Sequence, residues 1–254
     1  MSLRSTLGRA WHGVLSARHR RPVAMNDSGP FVSFSFDDFP RTAFTTGGEI
    51  LAGQGIRGTY YVAMGLMGIS NEQGEHFRLE DLHQALQDGH ELGSHTFSHP
   101  SSRNVPLSAF QEDVRKGQRA LREIVNSRAT EHFAYPYGEA TLAAKRAVGM
   151  EMMSCRGIYP GVNGPDVDLN LLNANLLYGG VENLGEVERL FHENAKQKGW
   201  LIFYTHDVCR NPSPYGCTPE LLQAASRLAS QHAKALPVGE VIRAFKGRTM
   251  TATS

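Results

Sequence analysis

Two adjacent aspartates, Asp37 and Asp38, follow the apolar run Phe31–Phe36. Carboxylates this close repel each other unless a proton or a cation lies between them. A divalent metal resolves the repulsion, with one carboxylate as ligand and the other free to act as base. A solvated turn with helix-capping carboxylates is the other reading of the same pair. His95 and His99 are spaced i, i+4, which predicts two imidazoles on one helical face, about right to share one metal ion. Imidazole nitrogen with carboxylate oxygen suits Zn²⁺, and also Co²⁺, Ni²⁺ or Fe²⁺. Two histidines and one aspartate leave positions open for water and substrate, as a catalytic site requires. Arg156, His206 and Asp207 also follow apolar runs, and the run ending at Tyr135 leads into Pro136, Tyr137 and Gly138.

These residues must be held by strands. The spacing predicts strands at Phe31–Phe36, Thr59–Ala63, Glu91–Ser94, His132–Tyr135, Met150–Ser154 and Trp200–Thr205, with helices over 41–54, 79–88, 107–126, 139–148, 184–198 and 218–233. The first and last strands are nearly continuous apolar or β-prone runs, as parallel strands buried on both faces should be. Strand–helix alternation means a parallel α/β sheet, open or closed. In either form, ligand-binding and catalytic groups collect at the C-terminal strand ends, where every residue named above falls. Gly53, Gly55 and Gly58 spell G-x-G-x-x-G, but they follow a helix and precede a strand, the reverse of a dinucleotide fingerprint. A helix C-cap and turn is the better reading.

Composition narrows the function further. The 254 residues carry 26 Lys+Arg and 25 Asp+Glu, a net charge of +1, which argues against bulk electrostatic binding of nucleic acid. A chain of this length fits a single α/β barrel. Its three cysteines, Cys155, Cys209 and Cys217, do not make a disulfide framework and suggest a reducing compartment. No apolar stretch reaches the roughly 18 residues of a membrane span. Arginines interrupt residues 1–30, so a cytoplasmic protein is expected, with no secretory leader. Leu3, Leu7, Trp11, Val14 and Leu15 fall on one helical face among those arginines. That pattern suits peripheral membrane contact through 1–21 or packing against the domain.

Taken together, the segments resemble the polysaccharide deacetylases, the NodB-homology group of carbohydrate esterases. The family's T-F-D-D-G motif is met by Ser35-Phe36-Asp37-Asp38-Phe39, and its H-[ST]-x-x-H by His95-Thr96-Phe97-Ser98-His99. At R-x-P-[YF] this chain has Ala134-Tyr135-Pro136-Tyr137, and at the apolar run ending in L-x-H it has Phe203-Tyr204-Thr205-His206. The resemblance implies a distorted (β/α) barrel of seven or eight parallel strands over residues 31–245. A basic, partly helical extension at 1–30 and a frayed tail at 246–254 flank it. It also implies metal-dependent removal of acetyl groups from sugars. By motif position Asp38, His95 and His99 hold the metal, most simply Zn²⁺. Asp37 is the base that deprotonates water, the backbone N–H of Tyr137 binds the oxyanion, and His206 protonates the leaving amine.

There are three departures. Ala134 stands where the family has the arginine that orients the base; Arg156, from the next strand run, is the candidate replacement. No D-x-x-x-W motif supplies a partner for His206, and Asp166 and Asp168, in the long Tyr159–Asn170 loop, are weak substitutes. Phe39-Pro40 replaces the glycine after the aspartates. The expected substrate is an acetylated sugar or glycan, and a cytoplasmic site favours a nucleotide- or lipid-linked precursor. Deformylation, O-deacetylation or hydrolysis of another linear amide keeps the fold and changes the bond. A catalytically silent glycan-binding metalloprotein is the reading from another class. Cys155 is expected to be a buried core residue, and His12, His19, His76, His83, His192 and His232 to face solvent.

Overall fold

The computed structural model describes residues 13–25, 29–125 and 131–249. Its strands are β1 (Pro22–Ala24), β2 (Phe31–Asp37), β3 (Thr59–Val62), β4 (Ser70–Asn71), β5 (Gly74–Glu75), β6 (Glu91–Ser94), β7 (His132–Ala134), β8 (Ser154–Arg156), β9 (Asp166–Asp168), β10 (Asn175–Leu176), β11 (Trp200–Thr205) and β12 (Lys234–Ala235). The helices are α1 (Arg41–Thr45), α2 (Gly47–Ala52), α3 (Leu79–Gln87), α4 (Leu107–Val125), α5 (Leu142–Glu151), α6 (Leu184–Gln197), α7 (Pro219–His232) and α8 (Val238–Thr249).

Seven parallel strands run in the order β10-β11-β2-β3-β6-β7-β8, and β12 adds an eighth beside the start of β2. The fold is a distorted (β/α) barrel. It closes through an irregular stretch whose first half bonds β8 and whose second half is β10. Cys155 N–H donates to the Leu169 carbonyl at 2.8 Å and Gly157 N–H to that of Leu172 at 3.0 Å, after which Asn175 and Leu176 pair with Phe203 and Tyr204.

Period-two alternation sorts the strand residues. On β2, Val32, Phe34 and Phe36 join the outer apolar layer with Leu201 and Phe203 of β11 and Leu221, Leu222 and Ala225 of α7. Trp200, Ile202 and Tyr204 take the opposite face of β11. Small polar residues line the inward face of β2: Ser33 receives the Trp200 indole N–H at 2.9 Å, and Ser35 donates to the Phe203 carbonyl at 2.8 Å. Asp37 is next in that odd-numbered series, so the pleat itself aims it into the barrel.

Several expectations need correction. Residues expected as a strand at Met150–Ser154 begin as the last turn of α5, with Met150 facing solvent, and β8 starts only at Ser154. The predicted 41–54 helix breaks at Thr46, where Gly47 and Gly48 lie close beneath Phe36, Phe44 and Tyr60. The Tyr159–Asn170 stretch is not an open loop, because β9 within it pairs antiparallel with β1. Helix α8, unread in the sequence, has the carboxylate of a distant residue, Glu91, accepting Gly239 N–H at 2.9 Å. Glycines 53, 55 and 58 form a helix end and turn before β3, as expected.

Residues 1–12 and 250–254, which carry part of the expected N-terminal helix and of the tail, lie outside the described residues. Residues 13–17 are helical. Leu15 is fully buried among Phe110, Val114 and Phe133, so this part of the apolar stripe packs on the barrel. No helix among the described residues is long and apolar enough to cross a membrane.

Candidate active site

Strand ends deliver the chemistry to one cleft of about 630 Å³, lined by Asp37, Asp38, His95, His99, Tyr137 and His206 among others. Asp37 is the last residue of β2, and Asp38 leaves the strand in a left-handed conformation (φ 61°). This turn lets two neighbouring carboxylates enter the same cleft from different directions. His95 directly follows β6, Tyr137 sits in the turn after β7, and His206 follows β11. Of seven described non-glycine residues with positive φ, five (Asp38, Phe39, Thr96, His99 and Tyr137) belong to this region. Strain of this kind, about 1–3 kcal/mol per residue, persists where surrounding packing holds a functional geometry.

The expected helical face for His95 and His99 does not exist. Both lie in the loop between β6 and α4, with Thr96 and His99 left-handed. Helix α4 holds that loop from behind. The Asp113 carboxylate accepts Phe97 N–H at 2.9 Å, Ser98 N–H at 2.8 Å and the Ser98 hydroxyl at 2.7 Å. One turn later, Gly117 presses against the loop so closely that a Cβ there would lie 2.3 Å from the Thr96 carbonyl oxygen. Asp113 and Gly117 were not read from sequence; the one available signal was a glycine inside a strong helical pattern, which asks for a packing reason.

The loop brings three donor atoms together. The Nε2 atoms of His95 and His99 are 3.2 Å apart, and they lie 3.8 and 3.4 Å from Asp38 Oδ1. That oxygen is buried and has no hydrogen-bond partner. His95 Nδ1 donates to the Ala134 carbonyl at 2.8 Å, which turns the lone pair of Nε2 toward the cluster. Burial pushes this imidazole down to about 4, against the pull of Asp37 and Asp38, so it stays neutral near pH 7. Two imidazole nitrogens and an unpartnered carboxylate oxygen fit a divalent cation. The other oxygen of Asp38 accepts from Gln73 Nε2 at 3.3 Å, a contact from the β4–β5 hairpin that the sequence did not suggest.

Asp37 is not part of this cluster. Its Oδ1 is ion-paired with Arg156 Nη2, and Arg156 is fully buried beneath the cleft. The guanidinium lies between the rings of Tyr61 and Tyr204, 5.0 Å from each centroid, and also donates to the Gly157 carbonyl at 2.8 Å. Burial alone would push the Asp37 carboxyl up. The Arg156 charge, helped by His95 and His206, outweighs burial and holds it below the usual carboxylate value. In the β7–β8 register Arg156 pairs directly with Ala134. Arg156 thus reaches Asp37 from the strand adjoining Ala134, at the same level of the barrel.

The turn at Tyr137 is closed by Gly138 N–H on the Tyr135 carbonyl (2.8 Å) and Glu139 N–H on that of Pro136 (3.1 Å), bonds that do not use the Tyr137 N–H. Opposite it, His206 directs Nε2 toward Asp38 Oδ2 at 3.9 Å and donates Nδ1–H to the Tyr215 carbonyl at 3.1 Å. Asp166 and Asp168 are not its partners: both lie in β9, and Asp168 is engaged by Lys145 at 2.7 Å. Tyr178, Tyr204 and Tyr215 complete the wall on this side. His76, expected at the surface, is fully buried beside the cleft, where its Nδ1 donates to the Ile69 carbonyl at 3.0 Å. Cys155 is buried in the outer core, and burial pushes its thiol up to about 12.

Solved structures share this architecture. The peptidoglycan deacetylase PdaC from Bacillus subtilis aligns with a TM-score of 0.54 and 17% identity, over 89% of this chain and 96% of that one. A family 4 acetyl xylan esterase from Clostridium thermocellum, in complex with a cobalt ion, gives 0.56 at 15% identity over 84% and 90%. The chitin deacetylase of the fungal pathogen Colletotrichum lindemuthianum gives 0.53 at 18% over 83% and 86%. At such identities the likeness concerns the fold. The sequence itself goes further, because residues 24–153, just over half the chain, match the profile described as polysaccharide deacetylase. That match takes in β2, the Asp37-Asp38 pair, the His95–His99 loop and the turn at Tyr137, and it makes this chain a member of the polysaccharide deacetylase family.

Proposed function

We propose that this protein is a metal-dependent hydrolase that removes the acetyl group from an N-acetylated amino sugar during the assembly of a cell-surface polysaccharide. One observation carries the reading: a three-donor cluster, Asp38, His95 and His99, shares a cleft with a separate carboxylate, Asp37, that is held ionised by its own buried arginine. Metal binding needs neither Asp37 nor Arg156, whereas a base does.

Asp38, His95 and His99 would hold a divalent ion such as Zn²⁺, which would supply Lewis acidity toward the acetyl carbonyl and a lowered pKa for water. Asp37 takes the proton from the attacking water as its oxygen bonds to the acetyl carbon. Arg156 keeps Asp37 deprotonated and fixes its direction. The Tyr137 N–H donates to the oxygen on which charge develops. His206, from the opposite wall, gives a proton to the departing nitrogen as the C–N bond breaks, so acetate and a free amine leave. A catalytically silent metalloprotein draws its support from the altered third motif, where Ala134 replaces the arginine that would hold the base. The Arg156 ion pair on Asp37 speaks against that reading.

A cytoplasmic site, with a nucleotide- or lipid-linked sugar as substrate, belongs to the same proposal. Any membrane contact would come from residues 1–21, of which Leu15 is already occupied against the barrel. The test is acetate release from a panel of N-acetylated sugars and their nucleotide and lipid conjugates by metal-loaded protein. Release sensitive to chelation is expected, with the best substrate locating the pathway. Fully metallated protein that released nothing from this panel, and nothing from formyl, O-acetyl or other linear amide substrates, would overturn the reading.

A further inference from the structure

The ring that faces the leaving group is steered by a neutral atom. The Tyr215 carbonyl oxygen receives His206 Nδ1–H and His206 N–H, both at 3.1 Å. A carbonyl only accepts, so Nδ1 carries hydrogen and Nε2 is the nitrogen turned to the cleft. What holds that carbonyl is the chain after His206. Asp207, 2% exposed, accepts Ser213 N–H at 2.8 Å on one oxygen and the Ser213 hydroxyl at 2.5 Å on the other. The same hydroxyl accepts Tyr215 N–H at 3.2 Å. Cys217 N–H then returns to the Asp207 carbonyl at 2.9 Å. The loop closes so tightly that a Cβ on Gly216 would sit 2.4 Å from Asp207 Oδ1. Pro212 and Pro214 flank Ser213 and restrict the backbone on both sides of it.

We propose that Asp207 and Ser213 are positioning residues for His206, folding the 207–217 loop so that the Tyr215 carbonyl holds Nδ1–H and leaves Nε2, which carries the transferred proton when the ring is the imidazolium, pointing at the leaving nitrogen. The inference rests on the deacetylase reading. Asp207 is not a metal ligand or second base in this arrangement, because both its oxygens are already spent on Ser213 and buried. Replacing Ser213 leaves a buried carboxylate oxygen unsatisfied and frees Tyr215, so the effect on His206 is specific and indirect.

Two readouts test it. The first needs no turnover: ring-nitrogen NMR of the full-length ¹⁵N-histidine-labelled chain, with His206 assigned by its loss in His206→Asn. Read at a pH where the ring is neutral, wild type is expected as the Nδ1–H tautomer. Ser213→Ala and Asp207→Asn should shift it to Nε2–H or a mixture, and Ser213→Thr, which keeps the hydroxyl, should not. The second compares leaving groups. Both disruptive variants should lose about tenfold or more in acetate release from an N-acetylated sugar, within the range of a general-acid contribution. Hydrolysis of 4-nitrophenyl acetate, whose leaving group departs without a proton, should change less than about twofold. In a His206→Ala background, Ser213→Ala should cost nothing further. Wild-type His206 in the Nε2–H form, equal losses on both substrates, or losses that add to His206→Ala would overturn the proposal. A wild-type chain that released no acetate would count against the functional reading, and the tautomer measurement would still decide this one.

Discussion

At the scale of single residues, the two carboxylates of the Asp37-Asp38 pair have different partners and therefore different work. Asp38 keeps an oxygen free for the cluster, while Asp37 is committed to Arg156. Arg156→Ala should lower kcat/KM by about 10²-fold or more, the scale of a general-base contribution. The sign of its pH effect follows from the same pair. Arg156 holds Asp37 down, so the base works into the acid range; without it, burial dominates, Asp37 protonates at higher pH, and the acidic limb of the rate profile moves up. An unmoved limb would sink this assignment. Loss of a buried partner also costs about 3–5 kcal/mol, so melting must be followed beside activity. Because Ala134 and Arg156 are register partners, the double change Ala134→Arg with Arg156→Ala should recover part of the rate. His95 gives a stability prediction. The unfolded chain binds a proton near 6.5, whereas the native imidazole resists it until about 4. Metal-free protein should therefore lose stability as pH falls through that window. Urea titrations at stepped pH check this, and His95→Gln should flatten the slope between pH 6.5 and 4.

Elements explain what the sequence could and could not disclose. β2 and β11 were legible because buried parallel strands are written as nearly continuous apolar or β-prone runs, and the strand ends delivered the cleft residues without any contact being visible. The His95–His99 spacing was legible as a metal pair, but its backbone was not. The i, i+4 signature of a helix is also what a left-handed loop can offer when another element moulds it. That element is α4, whose Asp113 and Gly117 meet the loop one turn apart. Gly117→Ala tests this directly. On an isolated helix it should gain about 1 kcal/mol. Here the new methyl would meet the Thr96 carbonyl, so titration calorimetry should show metal affinity reduced tenfold or more by the misplaced loop, on the scale of a lost supporting contact. Unchanged affinity would mean the loop holds its shape unaided. The β4–β5 hairpin was illegible because two strands of two residues each, mostly exposed, carry no alternation to read. Helix α8 was missed because the carboxylate at its first turn comes from β6, far away in sequence.

The whole molecule depends on a segment that looked like an extension. Strand β1 pairs with β9, Leu15 is buried in the core, and Arg21 donates to the carbonyls of Met152 and Met153, both at 2.8 Å. Lys145, fully buried, bonds both the Leu15 carbonyl at 2.6 Å and Asp168 at 2.7 Å. Removing residues 1–21 should therefore cost more than the roughly 1.5–3 kcal/mol of burying one leucine, because it also strips a buried ammonium of an acceptor. A melting temperature equal to that of the full chain would show the segment to be dispensable. The sequence offered packing against the domain as one reading of the Leu15 face, but it did not disclose β1, because three residues make too short a run and their partners in β9 lie far away in sequence. The central claim, that one carboxylate helps bind the metal while its neighbour does the chemistry, meets its most direct test in Asp37→Asn. Metal stoichiometry and acetate release should be measured on the same samples, beside wild type and Asp38→Asn. Asp37→Asn should keep one equivalent of metal and release no acetate, while Asp38→Asn should lose the metal itself. Acetate release by Asp37→Asn at the wild-type rate, or by chelated wild-type protein, would contradict the claim.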